Sequence, residues 1–347
     1  SKRLASASPI KKASASVPTN SSVFFSETYG PPTIISESGQ NFLTSANSGP
    51  KILRLADIAR KPIKSGFSFL KISPSARAAG MGDAFTAVAN DVTTIFFNPA
   101  GLTNVKNIDF SFNHTNWIVN SKLFSGVIGF PLGAKGVLGL SIIRFAAEEF
   151  EETTVFEPEG TGKFIQVGDI AIGVAYAIRL TDRLSFGIKG QYIEEFIDDD
   201  KAKGFAFDFS TYYLSGFRDL SIAMVMKNFG PDAKFLTKKF KLPLYFNINT
   251  AMSVIGEQGG PMQLLISAES AFATDYRDRY HVGSELWIAD MLALRGGYKF
   301  FYDTEDWTVG AGLKIKLGHR KVIINVAYSN FDEYFEPPLR VSIGGSF

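Results

Sequence analysis

The sequence predicts an all-β protein, a transmembrane antiparallel β-barrel of about fourteen strands with an N-terminal hatch in its lumen. From residue 107 onward, apolar residues alternate with small or polar residues at a period of two. Short and long links alternate between these segments, and the last segment ends in Phe347. Bacterial outer-membrane barrels have strands that are apolar outside and polar inside, short periplasmic turns and longer outer loops.

The composition fits a barrel that has one face toward lipid and the other toward water. Hydrophobic residues make up 45% and charged residues 20%, yet the chain contains 32 Phe, 12 Tyr and 32 Gly. No apolar run reaches the length of about 18 residues that a transmembrane helix requires. The absence of Cys excludes disulfides and thiolate metal sites, and a net charge of +2 is too balanced for a nucleic-acid binder.

Residues 1–66 are expected to form a Ser/Pro-rich N-terminal extension. Ser, Ala, Pro and Thr dominate its first 50 positions without a sustained period. Such a segment cannot bury enough of its own apolar surface to offset the entropy lost on ordering. We therefore expect it to dock on the barrel, on a neighbouring copy or on a separate protein. The expected anchors are aromatic residues, namely Phe24, Phe25, Tyr29 and Phe42.

Residues 107–347 are expected to form the barrel, and residues 166–180 show its pattern. Ile172 and Val174 share one strand face, while Asp169 and Ala171 share the other, because strand side chains alternate across the sheet. We expect the first face to meet lipid and the second to line the lumen. The strands are expected to begin near Asn107, Lys122, Lys135, Ile165, Arg183, Lys203, Arg218, Lys241, Pro261, Arg277, Met291, Glu305, Lys321 and Leu339.

Charged residues also fall on the face that is assigned to the lumen. They include Asp169, Arg179, Glu269, Arg279, Glu285, Arg295 and Lys314. Opposite charges in such a place are expected to form ion-pair networks that hold the wall and the hatch together. The alternative is that they line a conduction or substrate path.

The links support the barrel because every second one is tight. Short links are expected at residues 132–134, 181–182, 215–217, 289–290 and 318–320, and longer external ones at 147–164, 196–202, 230–240 and 330–338. The last of these carries Phe331, Tyr334 and Phe335. Exposed apolar patches mark binding surfaces, so these three aromatic residues are our candidates for partner contact outside the N-terminal extension.

The residues that could support catalysis or metal binding are few. The histidines are His114, His281 and His319. The chain has no Gly-x-Ser-x-Gly motif whose serine a histidine could activate as a nucleophile. Nucleotide-binding and zinc-protease motifs are also absent from the sequence. The acidic residues at 148–152 lack the spacing of a calcium loop, so a solvated loop is favoured over a calcium site. We expect no catalytic residue, no metal and no cofactor, and hence no enzyme.

Residues 67–106 are expected to form the Gly- and Ala-rich hatch. Their pattern is Ala-Ala-Gly-Met-Gly-Asp-Ala-Phe at 78–85, Asn90-Asp91, and Phe-Asn-Pro-Ala-Gly-Leu at 97–102. This pattern resembles the N-terminal motif of the PorV/PorQ family and, more distantly, that of the FadL long-chain fatty acid transporters. In those proteins the segment lies inside a fourteen-stranded barrel as a hatch. The motif residues here are Gly80, Gly82, Asp83, Asp91, Asn98, Pro99 and Gly101.

Two readings of these motif residues remain open. The glycines allow tight turns and close approach to the wall, and Asp83 and Asp91 can pair with cations in the lumen. In the first reading they only fold the hatch, and in the second they also contact a ligand directly.

The resemblance implies a bacterial outer-membrane location and two activities. FadL-like members pass hydrophobic molecules through a lateral opening in the wall. PorV-like members are accessory proteins of type IX secretion, which engage the translocon and deliver cargo carrying a C-terminal sorting domain for surface attachment. We expect the PorV-like role, with a FadL-like uptake channel or a structural anchor of a surface assembly as alternatives. Expected partners are outer-membrane lipid, other outer-membrane or secreted proteins or copies of this chain, and, for the uptake channel, a hydrophobic small molecule.

Overall fold

The structure, a computed structural model, describes residues 65–318, 320–331 and 335–347. The predicted anchors Phe24, Phe25, Tyr29 and Phe42 lie outside these residues, as does the predicted partner contact Tyr334.

Eighteen strands, β1 to β18 in chain order, occur within the described residues. Fourteen of them build the wall: β1 Asp109–Asn116, β2 Lys122–Pro131, β3 Val137–Ala146, β6 Val167–Arg179, β7 Leu184–Ile197, β8 Asp200–Leu214, β9 Ser221–Phe229, β12 Tyr245–Ile255, β13 Met262–Ala273, β14 Arg279–Ile288, β15 Leu292–Phe300, β16 Glu305–Leu317, β17 Arg320–Phe331 and β18 Leu339–Ser346. The short strands within the links are β4 Phe150–Glu151, β5 Phe164–Ile165, β10 Ala233–Phe235 and β11 Lys238–Phe240.

The wall is a closed antiparallel barrel. Strand β1 pairs with β2 on one side and with β18 on the other, where Asp109 lies opposite Ser346. Strand β8 pairs with β9, which joins the two ends of the series. Closure gives each wall strand a hydrogen-bonded neighbour on both sides. A sheet that crosses a bilayer requires this, because lipid cannot satisfy backbone N–H and C=O groups. The predicted fourteen-stranded barrel is confirmed.

The two faces of the wall differ as the two-residue period predicts. In β6, Ala171 and Ala175 are buried on the inner face, whereas Ile172 and Val174 are 49% and 51% exposed on the outer face. An outer face this rich in exposed apolar side chains suits contact with lipid acyl chains. No helix in the described ranges has the length and apolar character that would let it span a membrane.

The links define two ends of the barrel. The short-turn end carries compact links such as residues 180–183 and 289–291, and the long-loop end carries residues 147–166 and 230–244. One link differs from expectation: within residues 196–202 only Asp198 and Asp199 form a turn, because β7 continues to Ile197 and β8 begins at Asp200. Asp198 takes a positive φ of 54° there, a conformation that Asp tolerates better than most residues.

Residues 67–106, called the inner segment from here on, pack against the inward faces of the wall. Their helical turns are the 3₁₀ turns Ser68–Lys71, Val92–Phe96 and Pro99–Asn104 and the single-turn helix α1 Ala76–Gly80; another 3₁₀ turn, Gly133–Lys135, lies in the link after β2. The side chains of Ser75, Asp91 and Asn98 cap three of these turns by accepting backbone N–H groups. Capping satisfies donors that a helix start would otherwise leave unpaired.

Glycines in the wall leave room for the inner segment. A Cβ atom at Gly187 in β7 would lie 2.2 Å from the backbone nitrogen of Ala100, and one at Gly297 in β15 would lie 2.2 Å from that of Gly82. Such distances are far below van der Waals contact. The backbone of the inner segment therefore lies directly on the backbone of the wall at these two places.

Candidate functional site

Arg77 of α1 ties the inner segment to the wall through a buried carboxylate. Its Nε and Nη2 atoms lie 2.7 and 2.5 Å from the two oxygens of Glu285 in β14. Arg295 in β15 adds a 2.7 Å contact to the same carboxylate, and Arg77 also reaches Asp91 at 2.6 Å. Two-point guanidinium–carboxylate contacts are among the stronger and more directional ion pairs. The arrangement fixes α1 against β14.

A second charged contact holds the turn after α1. Lys299 in β15 lies 2.7 Å from Asp83 and 2.6 Å from Glu305, and Ser73 donates a hydrogen bond to Asp83. Burial raises the pKa of the Asp83 carboxyl, but the charges of Lys299 and Arg340 outweigh burial and lower this pKa to about 2. Asp83 is therefore ionised at neutral pH and binds the wall as a carboxylate.

A third contact uses a wall carboxylate to bind the backbone of the inner segment. Glu269 in β13 accepts hydrogen bonds from the N–H groups of Phe85 and Thr86, both at 3.1 Å. The amide groups of Asn247 and Asn249 donate to the same carboxylate at 2.5 and 2.9 Å. Four donors satisfy a charge that would be costly to bury alone. Glu269 thus adds wall contacts to an irregular turn whose own hydrogen bonds include the one from the Phe85 N–H to the Asp83 oxygen.

A small polar cavity lies beside the inner segment, next to strands β7, β8 and β9. It has a volume of about 20 Å³ and is lined in part by Lys189, Asp208 and Lys227. Lys227 donates to the backbone oxygen of Phe96 at 2.6 Å, whereas Lys189 and Asp208 are 4.0 Å apart. This volume suits about one water molecule. The cavity is too small for an aromatic hydrocarbon.

The motif residues of the inner segment have distinct places. Asp91 both caps a turn and pairs with Arg77. Asn98 caps the turn that begins with Pro99 and donates to the backbone oxygen of Thr86 at 2.9 Å. Gly82 has a φ of +63°, which suits glycine because it lacks a Cβ atom.

The remaining motif glycines sit at close approaches. A Cβ atom on Gly80 would lie 3.1 Å from the Cα of Gly310 in the wall. One on Gly101 would lie 2.5 Å from the Cβ of Ala89 within the inner segment. At both positions the neighbouring atoms leave little space for any side chain, which explains why glycine suits them.

The charges assigned to the lumen do not form one network. The inner segment is contacted directly by Glu285 and Glu269, and Arg295 contacts Glu285. Arg279 is instead stacked between the rings of Tyr276 and Tyr302, each 4.0 Å away. Arg179 also contacts the inner segment, at 3.2 Å from Asn104. Asp169 is buried with one oxygen unpartnered, and Lys314 pairs with Asp290 at 2.5 Å.

The external aromatic candidates also differ from expectation. Phe331 is the last residue of β17 rather than a loop residue, and it is buried with its ring 5.5 Å from that of Trp117. Phe335 is half-buried. The most exposed apolar residues at the long-loop end are instead Val155 and Phe156, at 90% and 94%. Sequence reasoning missed this pair, although two apolar residues next to an acidic stretch are a signal that could have indicated it.

Arg77 is the central site residue that sequence reasoning did not identify. It is a lone cation in an otherwise small and apolar segment, at residues 75–82. Such a charge is buried only when it is paired. This rule is the signal that could have pointed to a wall carboxylate as its partner.

Solved structures with a similar fold are outer-membrane channels. The CymD monoaromatic hydrocarbon channel matches with a TM-score of 0.56 and 12% identity, over 79% of this chain and 98% of that one. A Pseudomonas aeruginosa FadL homologue matches with a TM-score of 0.52 and 10% identity, over 80% and 98%. The Pseudomonas putida toluene transporter TodX gives 0.50 and 9%, over 72% and 91%. At these identities the likeness shows the fold alone.

The sequence itself matches one family. No curated protein matches the chain. The family model described as type IX secretion system protein PorV matches residues 56–235, which is more than half of the 347 residues. The match spans the inner segment and the wall through β9. The chain therefore belongs to the PorV family and is a bacterial outer-membrane component of type IX secretion.

Proposed function

We propose that the protein is a non-enzymatic accessory of type IX secretion that binds partner proteins at the long-loop end of its barrel. The short-turn end then faces the periplasm, as in other bacterial barrels. The observation that carries this proposal is the hairpin in residues 147–166, called the acidic hairpin from here on. It presents apolar side chains to solvent on an ordered backbone.

The acidic hairpin is held by its own hydrogen bonds. Strands β4 and β5 pair, and the N–H of Glu152 donates to the oxygen of Lys163 at 2.7 Å. At the tip, Thr154 and Glu157 exchange two backbone hydrogen bonds of 3.2 Å. Val155 and Phe156 lie between them and are almost fully exposed. The backbone order means that little entropy is lost when a partner covers these side chains.

The negative charge of the acidic hairpin indicates what kind of surface its partner presents. Six glutamates at positions 148, 149, 151, 152, 157 and 159 accompany one lysine, Lys163. An exposed apolar pair with an acidic surround fits a partner protein that has an apolar pocket with a basic rim. A secreted protein with a C-terminal sorting domain or a translocon component is the class of partner that the family implies.

The test replaces the apolar tip and follows secretion. We expect V155S/F156S to fold normally, but to lose cargo export and co-purification of its secretion partner from native outer membranes. The matched control is F217S, because Phe217 is 65% exposed in a turn at the short-turn end. Unchanged export and co-purification in V155S/F156S would contradict the proposal.

An uptake channel for hydrophobic molecules is the alternative function. Two fold neighbours are named for monoaromatic hydrocarbon and toluene transport, which favours this candidate. The packing of residues 67–106 opposes it, because this segment lies on the wall backbone at Gly187 and Gly297, and the polar cavity beside it measures only about 20 Å³. Faster toluene entry into proteoliposomes that hold the full chain than into empty vesicles would support uptake. Equal rates of entry would contradict uptake, and the roles in secretion and as a structural anchor would remain as candidate functions.

A further inference from the structure

Lysines line up at the long-loop end, on wall strand β8 and on the link strands β10 and β11 that extend its sheet. Lys203 in β8 lies opposite Lys234 in β10, and Lys234 lies opposite Lys239 in β11. Lys201 is two residues before Lys203 on the same strand face, and all four are exposed. These four residues are called the lysine row. Directly opposite residues share a face and lie about 5 Å apart at Cβ, so like charges there destabilise the sheet.

The structure offers little internal compensation for this charge. Glu194 in β7 lies 2.8 Å from Lys201 and 3.9 Å from Lys203. Among the described residues, no ion pair involves Lys234 or Lys239. Glu194 therefore pairs with two of the four ammonium groups, Lys201 and Lys203. Folding alone does not explain such an arrangement.

The row lies just beyond the apolar band of the barrel. Along the outer face of β8, Phe205 and Tyr213 are exposed aromatic residues near opposite ends. They are eight positions apart, which at about 3.4 Å per residue and a tilt of about 40° gives a height of ~21 Å. This is close to the apolar thickness of about 25 Å that outer-membrane barrels present.

Aromatic neighbours confirm where the interface lies. The ring of Tyr192 in β7 is 5.4 Å from that of Phe205, and Phe207 lies opposite Phe229. Lys203 is the next outward residue after Phe205, about 7 Å further along the strand. Aromatic girdles mark the membrane–water interface. The lysine row is therefore at the level of the lipid headgroups.

We propose that the lysine row binds the phosphate groups of an anionic lipid in the outer leaflet of the outer membrane. Ammonium groups are strongly hydrated point charges that suit phosphate oxygens. Basic clusters immediately outside an apolar span recognise anionic headgroups. The headgroup phosphates would pair with Lys234 and Lys239, for which the described residues provide no ion pair, and the acyl chains would contact Phe205 and Phe207. The proposal does not rest on the acidic hairpin, although Lys163 of that hairpin pairs with Asp198 in the turn before β8.

The test measures binding of diphosphoryl lipid A to the full chain in detergent by native mass spectrometry. We expect K203Q/K234Q/K239Q to weaken binding roughly tenfold or more. The control, K106Q/K122Q/K135Q, removes the same charge from exposed lysines elsewhere and should change binding less than about twofold. Heat-modifiable migration on gels verifies that both variants are folded barrels.

Two further arms identify the ligand chemistry. Lipid A without phosphates should bind the wild-type protein poorly, and inorganic phosphate should compete only weakly because it lacks acyl chains. Equal binding by the two triple variants, or equal binding of phosphate-free lipid, would overturn the proposal. Loss of a co-purifying protein from the first variant with unchanged lipid A binding would also overturn it, since the row would then be a protein contact.

Discussion

Arg77 and Glu285 form a two-point ion pair, at 2.7 and 2.5 Å, between the inner segment and strand β14. Their side chains are only 7% and 1% exposed. Burial of two charges costs solvation, which their mutual contact offsets only when both partners are present. The pair therefore makes the position of α1 depend on one wall residue that lies 208 positions later in the chain.

Removing one partner of this pair should destabilise the protein strongly. We expect R77L to lower the free energy of unfolding by about 3 kcal/mol, because it leaves Glu285 with less compensation. Urea unfolding of the protein in detergent measures the change. The control R277L breaks the exposed pair of Arg277 and Asp303, whose side chains are 57% and 63% exposed. R277L should lower the free energy of unfolding by less than about 1 kcal/mol. Equal losses in R77L and R277L would show that the buried pair of Arg77 and Glu285 does not stabilise the fold more than an exposed pair does.

Asp83 should make stability depend on pH in the acidic range. Its folded-state pKa of about 2 lies below the ordinary value of 3.8. Its contribution is therefore complete above the unfolded pKa and is lost as pH falls from about 4 through about 2. Between pH 7 and pH 3 this carboxylate should cost the wild type about 1 kcal/mol of stability, a loss that we expect to be absent from D83N. Urea unfolding of both proteins at pH 7 and at pH 3 measures it, with D182N as the control for removal of an exposed carboxylate.

The wall was predictable from the sequence because its signal is local. The predicted starts at Lys122, Glu305 and Leu339 coincide with the observed ones. A two-residue period fixes which side chains share a face, and a slip by one residue would exchange lipid for lumen. Strand identity and face follow from this rule without knowledge of distant contacts, whereas closure depends on the pairing of β1 with β18.

The contacts of the inner segment were not predictable in the same way. Whether Glu285 meets Arg77 or another cation depends on how residues 67–106 run through the lumen. That path is set by long-range packing, such as Gly187 against Ala100, and has no periodic signature. Phe331 illustrates the same limit, because its burial against Trp117 requires the chain ends of β17 and β1 to be neighbours.

Two native tryptophans should report the two faces of the wall. Trp307 is 42% exposed on the outer face of β16, whereas Trp287 is 7% exposed on the inner face of β14. We expect acyl-brominated lipid to quench W117F/W287F, which keeps Trp307, much more than W117F/W307F, which keeps Trp287. Fluorescence in reconstituted vesicles measures the difference. Equal quenching would mean that one of the two residues is assigned to the wrong face.

The last prediction concerns closure of the lumen by the inner segment. Fourteen strands enclose more space than wall side chains fill, since about eight strands are just filled and about sixteen leave a channel. We therefore expect the intact protein to conduct ions poorly in planar bilayers. G187V should conduct more, because its side chain would meet the backbone of Ala100 at 2.2 Å and push the inner segment from the wall.

Gly190 supplies the matched control for that experiment, since it lies on the same strand and faces outward. A Cβ atom there would be 3.5 Å from the ring of Phe207, which is ordinary contact. G190V also places a β-branched residue in β7, so it controls for strand propensity. We expect its conductance to match that of the wild type. High, steady conductance of the wild type would show that the inner segment does not close the barrel. Equal conductance of G187V and G190V would show that a side chain at position 187 does not displace the inner segment.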